Sequence, residues 1–234
     1  LDAITSNNDA LIDLKNATGA EIVASDYDKA IEATRQKIDE LSESRIAMAK
    51  EFANLVERGL IAEGTEAWND YTGKLEDLDE EIINTRTDLQ KLNDSVSKIT
   101  ITNLKYSLAY LESIAQKIDG IMALHEAQGS DATDSDYESL IKNGMQQIQN
   151  LEAQNVEYRK QQQGLDVLSE KYQELQDNID KNEKSILDMK TAQEEWNDSV
   201  IDNRIKEIQD YQEELQKSND KLQRQKELQQ AIED

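Results

Sequence analysis

The sequence predicts an all-α protein: long antiparallel helical hairpins, grouped into three-helix coiled-coil repeat units and arranged as an elongated rod. Three observations predict it. The 234 residues include no proline and only 8 glycines, where average usage would place about 12 prolines. Apolar residues recur at alternating steps of three and four over long stretches. Motifs in the first half of the chain return in the second.

Each observation excludes something. Without proline the usual cause of a helix break is missing, and turn-rich β architectures are improbable. Without cysteine there is no disulfide framework, thiolate metal site or cysteine nucleophile. Hydrophobic residues make up 37% of the chain, below the roughly 45–50% of ordinary domains, so narrow buried stripes are expected in place of a thick core. The net charge of −24, from 26 basic and 50 acidic residues, repels phosphates. Nucleic-acid binding and binding to anionic membranes are therefore disfavoured. No apolar run approaches the ~20 residues of a membrane span. No signal-peptide pattern is visible and the chain opens on Leu1, so a piece of a longer protein is expected.

Acidity with low apolar content also fits disorder; periodicity decides against it. Residues 1–24 read as the end of a preceding helical repeat. From there a seam runs Tyr27, Ile31, Thr34, Ile38, Leu41, Arg45, Met48, Phe52, Leu55, with only Thr34 and Arg45 not apolar. Gly59 reads as a C-cap and Thr65 as the next N-cap, leaving a short loop from Gly59 to Gly64. A second seam runs Trp68, Tyr71, Leu75, Leu78, Ile82, Thr85, Leu89, Leu92, Val96, Ile99. Two heptad helices joined by a short loop form an antiparallel hairpin. The β-branched run Ile99–Thr102 is weak in helix propensity, which allows either a kink or a short extended link. A third seam follows: Leu104, Leu108, Leu111, Ala115, Ile118, Met122. Such sustained spacing is the mark of helices packed through an a/d seam.

The repeat is explicit. Ser25-Asp26-Tyr27 returns as Ser135-Asp136-Tyr137, an offset of 110 at which Ile31, Ile38 and Leu41 match Ile141, Ile148 and Leu151. Further on the offset is 104, and Asn93-Asp94-Ser95-Val96 matches Asn197-Asp198-Ser199-Val200. The six-residue difference suggests a shorter second hairpin loop, around Gln163–Asp166. Residues 25–134 thus read as a complete repeat, a hairpin plus a connecting helix, and 135–234 as a second, truncated one. In the last helix the seam is diluted, with Gln212, Asn219 and Lys226 among Ile201, Ile205, Ile208, Leu215 and Leu222. That helix is either solvent-exposed or needs a partner. Ser25 and Ser135 are the expected helix caps, Ser135 forming a capping box with Glu138.

Candidate chemistry is sparse. His125 is the single histidine and falls in phase with the third seam, which favours packing over catalysis. A triad needs partners and a nucleophile elbow that are missing. Asp131, Asp134, Asp136 and Glu138 cluster, but the glycine and distal glutamate of a calcium loop are lacking. Trp68 and Trp196 lie on seams and read as packing residues. The run Gln161–Gln163 reads as a solvated helix end. No phosphate loop or zinc-protease motif occurs. The expectation is a non-enzymatic protein without catalytic residues, cofactor or metal.

Several stretches carry a resemblance: Ile101-Thr102-Asn103-Leu104, Leu124-His125-Glu126-Ala127-Gln128-Gly129, Ser135-Asp136-Tyr137-Glu138-Ser139-Leu140-Ile141, Gly164–Leu175 and Glu194-Glu195-Trp196-Asn197-Asp198. Across most of residues 25–234 the chain resembles the helical-repeat region of tail tape-measure proteins of long-tailed phages and prophages of Gram-positive bacteria. The resemblance implies a structural segment that occupies the tail lumen, sets tail length and leaves during DNA delivery. It implies a location in the virion after synthesis in the bacterial cytoplasm. The implied partners are other copies of the chain and tail-tube or tail-assembly proteins. As one extended helix the chain would span about 350 Å. A spectrin-like spacer or an adhesin stalk is the alternative by architecture. An enzyme or toxin with its active domain elsewhere is a third class.

Overall fold

The computed structural model describes residues 10–15 and 17–233, so part of the expected preceding repeat lies outside the described residues. After a helical stretch that reaches Thr18 and a 3-10 turn, Ala24–Tyr27, come four helices: α1 (Asp28–Glu57), α2 (Glu66–Ala127), α3 (Asp134–Gln162) and α4 (Glu170–Glu233). No strand occurs among the described residues. The all-α expectation is met. The chain divides between Asn103 and Leu104 into two compact units, so α2 contributes its first part to one unit and its last part to the other.

In the first unit α1 packs antiparallel on the start of α2. Near the tip Phe52 meets Trp68 edge-on at 4.9 Å and stacks on Tyr71 at 5.3 Å. Further along, Arg45 pairs with both carboxylate oxygens of Asp79 at 2.6 and 3.0 Å, and Lys37 reaches Glu81 at 3.1 Å. Arg45 thus explains its own break in the apolar seam: a guanidinium at a seam edge finds a carboxylate across it. Thr34, the other departure, is buried, and its hydroxyl donates to Ala30 O at 2.7 Å.

The second unit is a three-helix arrangement. The last part of α2 lies against α3, and α3 lies antiparallel to the first half of α4. Asn143 Nδ2 donates to Leu111 O at 3.0 Å, Gln193 Nε2 to Ile141 O at 3.1 Å, and Asn203 Nδ2 to Ala132 O at 3.0 Å. Leu140 and Leu175 are the largest fully buried side chains. This unit therefore joins the connecting helix of one sequence repeat to the hairpin of the next.

Two local expectations change. Of the kink and the extended link allowed for Ile99–Thr102, the extended link is ruled out, because the run is helical. The hydroxyls of Thr100 and Thr102 donate to Val96 O and Lys98 O at 2.9 and 2.8 Å, a bond back to the preceding turn that β-branched threonine can make inside a helix. The six-residue shortening also lies elsewhere than in the loop. In the repeat, residues 24–57 of the first arm correspond to 134–162 of the second, five fewer, while the loops 58–65 and 163–169 differ by one. An arm can shorten because each hairpin closes on its own tip. The tips differ accordingly. Gly59 (φ 67°) closes a Schellman motif, with Leu60 N–H donating to Leu55 O and Gly59 N–H to Val56 O. Gly164 (φ 82°) instead follows Gln163 (φ −60°, ψ 124°) in a type II turn closed from Leu165 N–H to Gln162 O.

Candidate functional site: the helix joints

The best-defined polar constellation is the joint between α2 and α3. It begins where α2 ends. Gly129 adopts φ 78°, Gly129 N–H donates to Glu126 O and Ser130 N–H to His125 O, both at 3.0 Å. A residue with a Cβ would be strained at that φ. Four residues on, Thr133 is extended (φ −85°, ψ 157°) and caps α3. Its Oγ1 accepts from Asp136 N–H at 3.3 Å, and its own N–H donates back to Asp136 Oδ2 at 2.9 Å.

The capping box is therefore Thr133 with Asp136, and not Ser135 with Glu138. Ser135 is already helical, and its carbonyl accepts from the Ser139 hydroxyl at 2.7 Å. A cap needs an extended backbone with a side-chain acceptor three residues before a carboxylate. Thr133 meets that condition. Ser25 fails it for the same reason: it lies inside the 3-10 turn, and the extended residue is Val23 (φ −114°, ψ 158°). Val23 has no acceptor, but its N–H donates to Asp26 Oδ2 at 2.8 Å.

At the 110 offset the two joints correspond residue by residue. Gly19 (φ 69°) stands for Gly129, Val23 for Thr133 and Asp26 for Asp136, and Ala20 N–H donates to Lys15 O as Ser130 N–H does to His125 O. Lys15 then matches His125. Lys15 Nζ binds Asp26 Oδ2 at 2.7 Å, and His125 Nδ1 stands 3.3 Å from Asp136 Oδ2. Each joint places a cationic or potentially cationic residue of the outgoing helix against the box carboxylate of the next. The Lys15 bond and the Val23 N–H hold the Asp26 carboxyl below the usual range. For Asp136 the Thr133 hydroxyl does so first, the Thr133 N–H second, with His125 adding to them.

The acidic cluster is consumed by cations from α4. Arg204 reaches Asp134 Oδ2 at 3.1 Å and Glu138 Oε1 at 3.2 Å, and Lys206 pairs with Asp131. That last pair lowers the Asp131 pKa and raises that of Lys206. Among the described residues no group of three or more histidine and acidic side chains is placed to hold a metal ion. Among the described residues no helix is long and apolar enough to cross a membrane. A groove of about 610 Å³ opens beside the joint between Met122, Tyr137 and Asn203, with Asp119, Glu126 and Asp131 on its walls.

The seam residues Tyr27, Ile31, Ile38, Leu41, Met48, Phe52, Leu55, Trp68, Leu75, Leu78, Leu89, Leu92 and Val96 are all half-buried, and Ile82 is buried. Trp196 packs over Gly144, where an added Cβ would come within 3.2 Å of the ring. The Gln161–Gln163 run is not simply solvated: Gln162 Nε2 bridges the second hairpin to Gln176 Oε1 at 3.2 Å.

Pattern reading missed one set. Asn143, Gln147, Asn150, Gln154 and Asn155 are buried in α3. Gln147 Nε2 donates to Asn143 Oδ1 at 2.6 Å, Gln154 Nε2 to Asn150 Oδ1 at 2.9 Å, and Asn182 Nδ2 to Asn155 Oδ1 at 2.9 Å. The signal was present: residues 143, 147, 150 and 154 step by four, three and four, the spacing of a seam. Only their polarity hid them.

No family model, curated protein or solved structure matches the chain.

Proposed function

We propose that the chain is a structural coiled-coil segment of a phage tail tape-measure protein, acting as a length-determining and scaffolding element of the tail lumen. One observation carries this reading beside the resemblance of its motifs. The two joints repeat a left-handed glycine, a box aspartate and a paired basic side chain, Lys15 or His125, 110 residues apart, so length is added in helical modules of one plan. A ruler needs that proportionality and no active site. Its partners in this reading are other copies of the chain and tail-tube or tail-assembly proteins, and its place is the virion.

The test is in-frame excision of residues 25–134 from the parent gene, followed by electron microscopy of the tails. Tails shorter by about 165 Å are expected if the segment spans the lumen as single helix at 1.5 Å per residue. Tails of unchanged length overturn the reading. The second reading, a spectrin-like spacer or adhesin stalk, draws on one specific feature: α2 is a single 62-residue helix that serves two compact units. Shortened tails would decide against it.

A further inference from the structure

The second half of α4 carries an apolar stripe that stays exposed among the described residues. Ile201, Ile205, Ile208, Leu215 and Leu222 are between 46 and 58% exposed. Together with Gln212, Asn219 and Lys226 they step by four and three through more than three heptads.

At the 104 offset this stretch corresponds to the last part of α2, which α3 and α4 cover. The two differ in a regular way. Leu104, Leu111 and Ile118 are kept apolar as Ile208, Leu215 and Leu222. Leu108, Ala115 and Met122 become Gln212, Asn219 and Lys226. Every change falls on the same heptad position. With the apolar set at d, the polar set occupies a. An a-position Asn with Leu at d is the pattern by which two-stranded parallel coiled coils select register and strand number, because facing amides pair only in register.

The flanks agree from Ile208 on: Gln209, Gln216 and Gln223 stand at e, and Tyr211, Ser218 and Gln225 at g, all uncharged, with charge only at Asp202 (e) and Arg204 (g) where the stripe starts. The covered counterpart has Lys105, Glu112 and Asp119 at its e positions. Residues 201–229 hold seven acids and six bases, nearly balanced in a chain of net charge −24. Two copies of an acidic protein repel least where their charges balance and where the seam is flanked by neutral side chains.

We infer that residues 201–229 pair with the same residues of a second copy of this chain, as a parallel, in-register, two-stranded coiled coil with Asn219 facing Asn219. The inference rests on the self-association in the proposed function but not on its tail setting. Sedimentation bears on the pairing alone, and tail length on the setting alone.

The test uses the full chain in analytical ultracentrifugation. A concentration-dependent dimer is expected. A monomer at all concentrations, or a trimer or larger assembly, overturns the inference. Leu215→Asp with Leu222→Asp should weaken association by more than about a hundredfold, since four apolar side chains per dimer are replaced by charges. That variant could also unwind an exposed helix, so Asn219→Leu supplies the opposite sign. It should tighten association and admit higher oligomers as the register signal is lost; unchanged association counts against the pairing. Orientation is read with Gln229→Cys, because the chain has no other cysteine. A disulfide-linked dimer in glutathione buffer is expected. Crosslinking only when Ile201→Cys chains are mixed with Gln229→Cys chains would mean antiparallel pairing and overturn the parallel register.

Discussion

Near its tip the first hairpin packs Phe52 against Trp68 and Tyr71, at 4.9 and 5.3 Å. The second buries Asn143, Gln147, Asn150, Gln154 and Asn155 along one arm. Both hairpins come from one sequence repeat, so the contrast isolates how the interior is filled. Aromatic contacts bury large areas and accept both edge-on and stacked geometries, so they tolerate small slips of one helix along the other better than hydrogen bonds do. Buried amides cost free energy unless each meets its partner, so they tolerate almost none. The first hairpin sets its register with half-exposed ion pairs such as Arg45–Asp79, where each partner is worth little in water. The second sets it with amides that cross between helices, Asn182 to Asn155 and Gln193 to Ile141 O, while the Gln147–Asn143 and Gln154–Asn150 bonds run along α3 itself.

The largest expected effect concerns one repeat position, occupied by Tyr71 in the first copy and Leu175 in the second. Leu175 is 2% exposed, so Leu175→Ala should cost about 3 kcal/mol by leaving a cavity. Tyr71→Ala removes a bigger side chain, but Tyr71 is only half-buried and its hydroxyl bonds Glu51 at the surface, at 3.1 Å. It should cost about 1–2 kcal/mol. Urea unfolding measures both, and the reverse order would break the comparison.

The next effect tests the amides directly. Asn143→Leu leaves Leu111 O without its donor and Gln147 Nε2 without its acceptor, at a cost of about 1–3 kcal/mol. Adding Gln147→Leu should recover much of that loss, because two apolar side chains leave no amide unpaired and Leu111 O, inside α2, keeps its other donor, the helical N–H. A double-mutant cycle showing simple additivity would mean that the amides act independently of each other.

The smallest effect is one of sign. Gly144 and Trp196 align with Thr34 and Leu92, a small-and-large pair in one copy against two middle-sized residues in the other. An added Cβ at Gly144 would meet Gln193 Nε2 and Met189 Sδ at 3.0 Å, whereas at Gly120 nothing lies within 4 Å. Gly144→Ala should therefore destabilise by about 1 kcal/mol despite its better helix propensity. Gly120→Ala should stabilise by about 0.5–1 kcal/mol. Thermal melts read both.

Much of this architecture was legible beforehand. The steps of three and four placed the seams, and Gly59, Gly129 and Gly164 marked three breaks because only glycine enters the left-handed region without strain. The caps were misplaced by two residues. Serine and threonine are near-equal cap formers, and only backbone conformation shows which one precedes the helix. The buried amides were passed over because polarity usually means solvent, although their spacing was that of a core. The joint was hidden for a different reason. Its carboxylates and cations are up to 75 residues apart in sequence, as with Asp131 and Lys206, and no local pattern links them.

By itself, then, the chain's sequence determined helix, hairpin and repeat. Those follow from missing proline, from seam spacing and from glycine breaks, all of them local chemistry. Tertiary structure decided the rest: which hairpin the connecting helix packs on, which carboxylates are neutralised, and which stripe is left bare on α4. Those outcomes depend on side chains from distant segments arriving at the same place, and that is a property of packing and not of periodicity.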